Sequence, residues 1–130
     1  MIVLDASALI DLLLRGEGVE AIEDRVFAPG ESLNVPHLID LEVAQVLRRY
    51  RLAGELGDSR AEEAFDDLAA LPLQRHPHDI LLPRIWELRH NATAYDAAYL
   101  ALAEALDAPL LTRDRRLAAS RGHRARIEVV

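Results

Sequence analysis

The sequence predicts an α/β fold, a parallel sheet flanked by helices in a single domain, and three observations carry that expectation. Short apolar runs of strand length recur between helical stretches, from Met1-Ile-Val-Leu4 at the start to Leu110-Leu111 and Ile127 to Val130 near the end. A continuous apolar run of that length suits a strand buried on both faces, as in a parallel sheet covered by helices. Between the runs lie stretches with helical spacing and helix-end residues, and the one opening at Thr93 and reaching Glu104 is apolar on nearly every side. A helix that apolar is buried rather than half-solvated.

Taken in order, Met1 to Leu4 is the first strand, and it stops at Asp5. The ligand crevice of an open α/β sheet lies beyond the carboxyl ends of its strands, which is where Asp5 falls. Ser7 is the candidate N-cap of a helix from Ala8 to Leu14, closed by Gly16 and Gly18. Val19 to Phe27 reads as a second short helix, Pro29-Gly30 as a turn and Leu33-Asn-Val35 as the second strand. Pro36 fits the start of a helix running to about Leu52, where Arg48, Arg49 and Arg51 suit the negative end of the dipole and Gly54 is the stop. Ser59-Arg-Ala-Glu62 has capping-box spacing for a helix to about Leu71, with Glu62, Glu63, Asp66 and Asp67 as its solvated side. Leu73 to His76 is a third strand, and Ile80 to Arg89 a helix in which Pro83 falls early enough to be tolerated. Between them, His76-Pro-His78-Asp79 lacks a fourth ligand and reads as a loop rather than a metal site. After Leu110-Leu111 comes a short helix from Arg115 to Ser120, and Ile127 to Val130 closes the chain as an edge strand.

Composition narrows the chemistry. At 130 residues, 51% of them hydrophobic, one ordinary domain is expected, able to bury about two thirds of its unfolded surface. The longest run free of charge, Ser32 to Ile39, is too short to span a bilayer, and Met1 to Asp5 lacks the basic start of a secretion signal, so a cytoplasmic address is expected. The absence of cysteine removes disulfides, thiolate ligands and a cysteine nucleophile. Lysine is absent too, which excludes a P-loop NTPase and a Schiff-base enzyme. The net charge of −7 argues against nonspecific nucleic-acid binding, but it is unevenly spread. From Thr112 onward six arginines face two acids, a net +4 that leaves −11 for the rest of the chain. Such asymmetry marks either a phosphate-facing edge or an arginine-rich solvated face.

Four acids stand out, each with an ordinary alternative. Asp5 and Asp114 end strands, and Asp114 could simply cap the short helix after it. Glu42 has Leu38, Ile39 and Val46 as helical neighbours, so it is at least partly buried unless its charge escapes to water or pairs with Arg49. Asp96 has capping-box spacing to Thr93 and could reach back to the Thr93 amide. Together, however, the four converge on one end of a packed core if strand ends and helix faces coincide. So many carboxylates at close range do not all stay ionised without a cation. An all-oxygen set suits Mg²⁺ or Mn²⁺, and such sites usually act on phosphates.

At these residues the chain resembles the PIN-domain ribonucleases, and among them the VapC toxins of bacterial toxin–antitoxin pairs. The likeness runs through Met1-Ile-Val-Leu-Asp5-Ala-Ser7, Leu41-Glu42-Val-Ala with Val46-Leu-Arg48, Tyr95-Asp96-Ala-Ala-Tyr99 to Glu104, and Leu110-Leu-Thr112-Arg-Asp114-Arg-Arg-Leu. Each piece is short, and their order and spacing together carry the resemblance. It implies a PIN-like sheet, a homodimer, a cognate VapB-like antitoxin, and a site that binds divalent metal and cuts RNA. Carried over by position, the catalytic and metal-binding acids are Asp5, Glu42, Asp96 and Asp114, with Ser7 and Thr112 as hydroxyls that orient them. Arg113, Arg115 and Arg116 are candidates for touching RNA. The expected activity is Mg²⁺-dependent hydrolysis of phosphodiester bonds in structured RNA of the tRNA or rRNA class. Alternatives are a PIN nuclease of RNA processing outside a toxin pair, and a non-catalytic dimerisation or protein-binding module. A phospho-acceptor or aspartyl-phosphate hydrolase also places an aspartate after its first strand, but it needs a lysine that this chain lacks.

Overall fold

β1 (Ile2–Leu4), β2 (Leu33–Pro36), β3 (Leu73–His76), β4 (Leu110–Thr112) and β5 (Ile127–Val129) form one sheet in the order β3-β2-β1-β4-β5, parallel throughout. The computed structural model describes residues 1–130. Every residue of β1, β2 and β4 is buried, whereas β3 and β5 are partly exposed edges. That is why β1 reads as an unbroken apolar run, β2 and β4 admit only the buried, hydrogen-bonded Asn34 and Thr112, and the edges read as mixed.

Seven α-helices connect them: α1 (Ala6–Leu14), α2 (Glu20–Val26), α3 (Ile39–Leu52), α4 (Asp58–Ala70), α5 (Leu82–Glu87), α6 (Ala94–Leu106) and α7 (Arg115–Ala118), with a single 3₁₀ turn at Asp79–Leu81. α6 buries Ala97 through Ala103 without a break and lies across β1, β2 and β4 with α5 against it, whereas α1 packs on β4 and is braced by α2, α3 and α4. One continuous core of 32 buried residues results. From β1 the chain first winds outward to β2 and β3, then returns to β4 on the other side of β1. The strand order therefore reverses between β1 and β4, and their carboxyl ends flank the crevice where such sheets bind ligands.

Four helix starts differ from the sequence reading. The helix expected from Ile80 to Arg89 is a 3₁₀ turn at Asp79–Leu81 followed by α5, with Pro83 in its first turn. The other three differ each for a local reason. Asp5, not Ser7, caps α1: its Oδ1 accepts from the Ala8 amide at 3.0 Å, and Ser7 sits inside the first turn. α3 starts at Ile39 because Pro36 is still paired with His76 as the last residue of β2. His78 then accepts from the Leu38 amide at 3.0 Å through Nε2, so the His76 to Asp79 loop braces the entry to α3. Ser59 does not open a capping box; Gly57 holds the cap position of α4 without a side-chain bond. Asp58, at the first position, pairs with Arg51 instead.

Candidate active site

Asp5 follows the central strand directly, its backbone amide still bonded to Leu111 O of β4 at 3.2 Å. Only 6% of the residue is exposed, and its carboxylate is gripped on both oxygens. Oδ1 accepts from the Ser7 hydroxyl at 2.7 Å and the Ala8 amide at 3.0 Å, and Oδ2 accepts from the Thr112 hydroxyl at 2.6 Å. Each hydroxyl in turn accepts a backbone amide of the loop after β4, Ser7 from Arg113 at 2.9 Å and Thr112 from Asp114 at 2.9 Å. A hydroxyl has one proton to give. Both are spent on Asp5, so the 3.3 Å approach of Ser7 Oγ to Thr112 Oγ1 is proximity rather than a bond. Ser7 and Thr112 thus fix Asp5 and the β4 loop to each other. Burial pushes the Asp5 carboxyl above its ordinary range, opposed by these three bonds and reinforced by Asp114.

Glu42 lies on the first turn of α3, half-buried, and does not pair with Arg49. Its Oε1 accepts from Tyr99 OH at 2.7 Å. Burial raises its pKa, the Tyr99 bond opposes, and Asp96 and Asp5 raise it further. Tyr99 is itself 2% exposed, and its pKa is pushed up by burial and by the acids around it, so it stays a proton donor to Glu42. Sequence reasoning did not single out Tyr99. The signal was available: it is the one polar tip within the buried run of α6, three residues after Asp96 and therefore on the same face.

Asp96 stands in the first turn of α6. The Thr93 hydroxyl accepts from the Asp96 amide at 3.1 Å and caps the helix, but the reciprocal bond from the Thr93 amide to the Asp96 carboxylate is not made. The carboxyl is raised by burial first and by Asp114 next, opposed by Arg116 and Thr93. Asp114 does cap α7, accepting from Arg116 N at 2.8 Å and Leu117 N at 3.4 Å, both through Oδ1. Its Oδ2 is left for other work. Asp96 and Asp114 line one surface cavity of about 260 Å³ together with Thr93 and Arg116.

No three of these carboxylates come close enough, in the side-chain positions seen, to hold one ion among them. Their chemistry nonetheless fits a hard cation. All donors are oxygens, each of three acids is raised by burial and by another acid of the set, and the one arginine that opposes, Arg116, is 94% exposed. Asp5 is fixed by its hydrogen bonds, whereas Asp96 and Asp114 line the cavity.

The profile of the PIN domain family matches residues 2–122. The chain belongs to the PIN-domain family. This PIN domain is 46% identical to Ribonuclease VapC1 of Mycobacterium tuberculosis over 129 residues, which cover 98% of this chain and 96% of that relative. It is 38% identical to Ribonuclease VapC12 of the same organism over 130 residues, 100% of this chain and 99% of the relative. These likenesses put it in the VapC group. Among solved structures, PAE2754 from Pyrobaculum aerophilum superposes with a TM-score of 0.71 at 28% identity, over 98% of this chain and 83% of that one. VapBC2 from Rickettsia felis, bound to a DNA fragment from its promoter, superposes with a TM-score of 0.73 over 99% and 98% of the chains, a likeness of fold alone at 12% identity.

The arginines of this PIN domain divide. Arg113 is not free for a ligand: Nη1 donates to Val130 O at 2.8 Å, Nη2 to Glu17 O at 2.7 Å, and Nε lies 2.8 Å from Asp11 Oδ2, though its N–H does not point along that line. It ties α1 and its following loop to the C-terminus. Arg115 and Arg116 are exposed, and Arg116 stands at the wall of the acidic cavity.

Proposed function

We propose that the chain is a Mg²⁺-dependent endoribonuclease, the toxin of a VapBC-type pair, hydrolysing phosphodiester bonds of structured RNA at Asp5, Glu42, Asp96 and Asp114. The observation that carries this reading is the set of carboxylates at and beside the carboxyl ends of β1 and β4, of which Asp5, Glu42 and Asp96 are each raised by burial and by another acid of the set, with the exposed Arg116 as the one arginine that opposes. The VapC ribonucleases that resemble it along nearly their whole length support the reading. Asp5, Asp96 and Asp114 would hold the ion. Bound there, Mg²⁺, or Mn²⁺ in its place, supplies Lewis acidity and positive charge facing the phosphate. Glu42 completes the set or accepts a proton from the attacking water, and Tyr99 keeps its carboxylate aimed. Ser7 and Thr112 prevent Asp5 from turning away. A homodimer and a VapB-like antitoxin are the partners this reading implies. No helix is long and apolar enough to cross a membrane.

Labelled tRNA and rRNA incubated with the purified protein test the proposal. Cleavage is expected with Mg²⁺ or Mn²⁺ and not with EDTA; equal cutting in EDTA, or none with either metal, refutes it. In the same assay, replacing Arg115 and Arg116 with Ala should weaken RNA binding and flatten its salt dependence by about 0.7 to 0.9 log units for each phosphate that is no longer neutralised. An unchanged slope assigns both to the solvated surface.

A further inference from the structure

A second cavity, of about 290 Å³, opens between α1 and α3 and is lined by Ala6, Ser7, Ile10, Val46, Arg49 and Tyr50, with Asp11 and Arg113 completing the wall. It adjoins the acidic site through Ser7, whose hydroxyl grips Asp5 at 2.7 Å. Asp11 and Arg113 neutralise each other as an ion pair. Arg49 is different: it is exposed and has neither an ion pair nor a side-chain hydrogen bond, so the wall carries one uncompensated positive charge. Arg49 follows Glu42 by seven residues, which places it on the same face of α3 and about 10 Å further along the axis. The neighbouring Arg48 and Arg51 point elsewhere, into a groove between α3 and α4. Tyr50 is half-buried, and its hydroxyl has no hydrogen-bond partner either. An aromatic ring beside an unpaired arginine, next to a floor of small and apolar side chains, is the combination that holds an unpaired nucleotide: the ring stacks the base and the cation takes the phosphate.

We propose that this cavity is a subsite for the unpaired nucleotide flanking the bond that is cut, with its base on Tyr50 and its phosphate on Arg49. The inference rests on the ribonuclease reading and adds which residues outside the acidic set seat the flanking nucleotide. A base inside a duplex stays in its stack, so the RNA must be single-stranded here, as in a loop of a structured molecule. The other class of occupant is an acidic segment of a partner protein.

The probe is a fluorescein-labelled single-stranded oligoribonucleotide, compared with the same sequence as a duplex. Binding is read by anisotropy in EDTA over a salt series, and KM is read in Mg²⁺. The parent should prefer the single strand. Arg49→Gln should lower the slope of log Kd against log salt by about 0.7. Tyr50→Leu keeps the bulk that packs on the core and removes the ring; it should weaken single-strand binding and raise KM by about 5- to 150-fold with the slope unchanged. Arg48→Gln, in the other groove, should match the parent. If Arg49→Gln and Tyr50→Leu match a parent that binds and cuts RNA, or lose only a co-purified acidic protein, the subsite is overturned and the ribonuclease reading stands. A parent that neither binds nor cuts RNA overturns both.

Discussion

Asp96→Asn is expected to lower RNA cleavage in Mg²⁺ by on the order of 10²- to 10³-fold, the scale of losing one preorganised electrostatic group, while the protein folds as before. Fold and activity separate at this residue because its two parts do different work. The backbone amide of Asp96 is what the Thr93 hydroxyl caps, and asparagine leaves that bond untouched. The carboxylate makes no return bond to the Thr93 amide, and instead stands half-buried beside Asp114, whose charge helps raise its pKa. Removing the charge therefore costs no cap and relieves some repulsion. Cleavage rates and melting curves of parent and variant check it. A variant with full activity would mean that Asp96 is only a first-turn helix residue.

Much of the fold was legible because its central strands are buried on both faces and its central helix is buried nearly all round. Leu4, Leu111 and the Ala97 to Ala103 run announce themselves without tertiary information. Helix starts were less legible, since several polar residues compete to cap. Asp5, Ser7 and Pro36 stand near two starts, and the choice among them is made by partners distant in sequence: Thr112 holds the far oxygen of Asp5, and His76 keeps Pro36 in the sheet. The four acids stood out as candidates because Asp5 and Asp114 end strands and Glu42 and Asp96 interrupt apolar helix faces. Tyr99 did not, because an aromatic ring continues the apolar pattern of α6 and only the position of Glu42, on another helix, reveals the use of its hydroxyl. Arg113 was misleading for the same reason, its partners being carbonyls of Glu17 and Val130.

The raised acids also fix how the fold responds to pH. Asp5, Glu42 and Asp96 bind protons more tightly folded than unfolded. Without a divalent cation, their contribution to stability is therefore greatest at acid pH and is lost as pH rises from the unfolded-state values of 3.8 and 4.5 through the raised folded ones. Glu31 and Glu104, lowered by the N-terminal amine and by Arg84, act in the opposite direction and lose stability as pH falls. In EDTA the melting temperature should thus fall from mildly acidic to neutral pH, and Mg²⁺ should restore most of the loss at neutral pH.

Asp5→Asn isolates the part of that effect that belongs to Asp5. Its amide oxygen can keep the bonds from Ser7 and Ala8, and its NH₂ group can donate to Thr112 Oγ1, which has a second lone pair beside the one used by the Asp114 amide. The Thr112 proton then turns toward Ser7 Oγ, 3.3 Å away. Every group finds a partner again and one buried charge is gone. In EDTA at neutral pH the variant should be more stable than the parent by about 1 kcal/mol, or ~3–6 °C in melting temperature for a chain of this size. With Mg²⁺ the order should close or reverse, because binding to the native state stabilises the parent by mass action and the variant less, and the variant should not cut RNA. Melting both proteins in EDTA and in Mg²⁺ decides it. If Asp5→Asn melts below the parent in EDTA and the two respond equally to Mg²⁺, the hydrogen bonds to Asp5 outweigh the crowding of charge, and the four carboxylates do not act as one metal site.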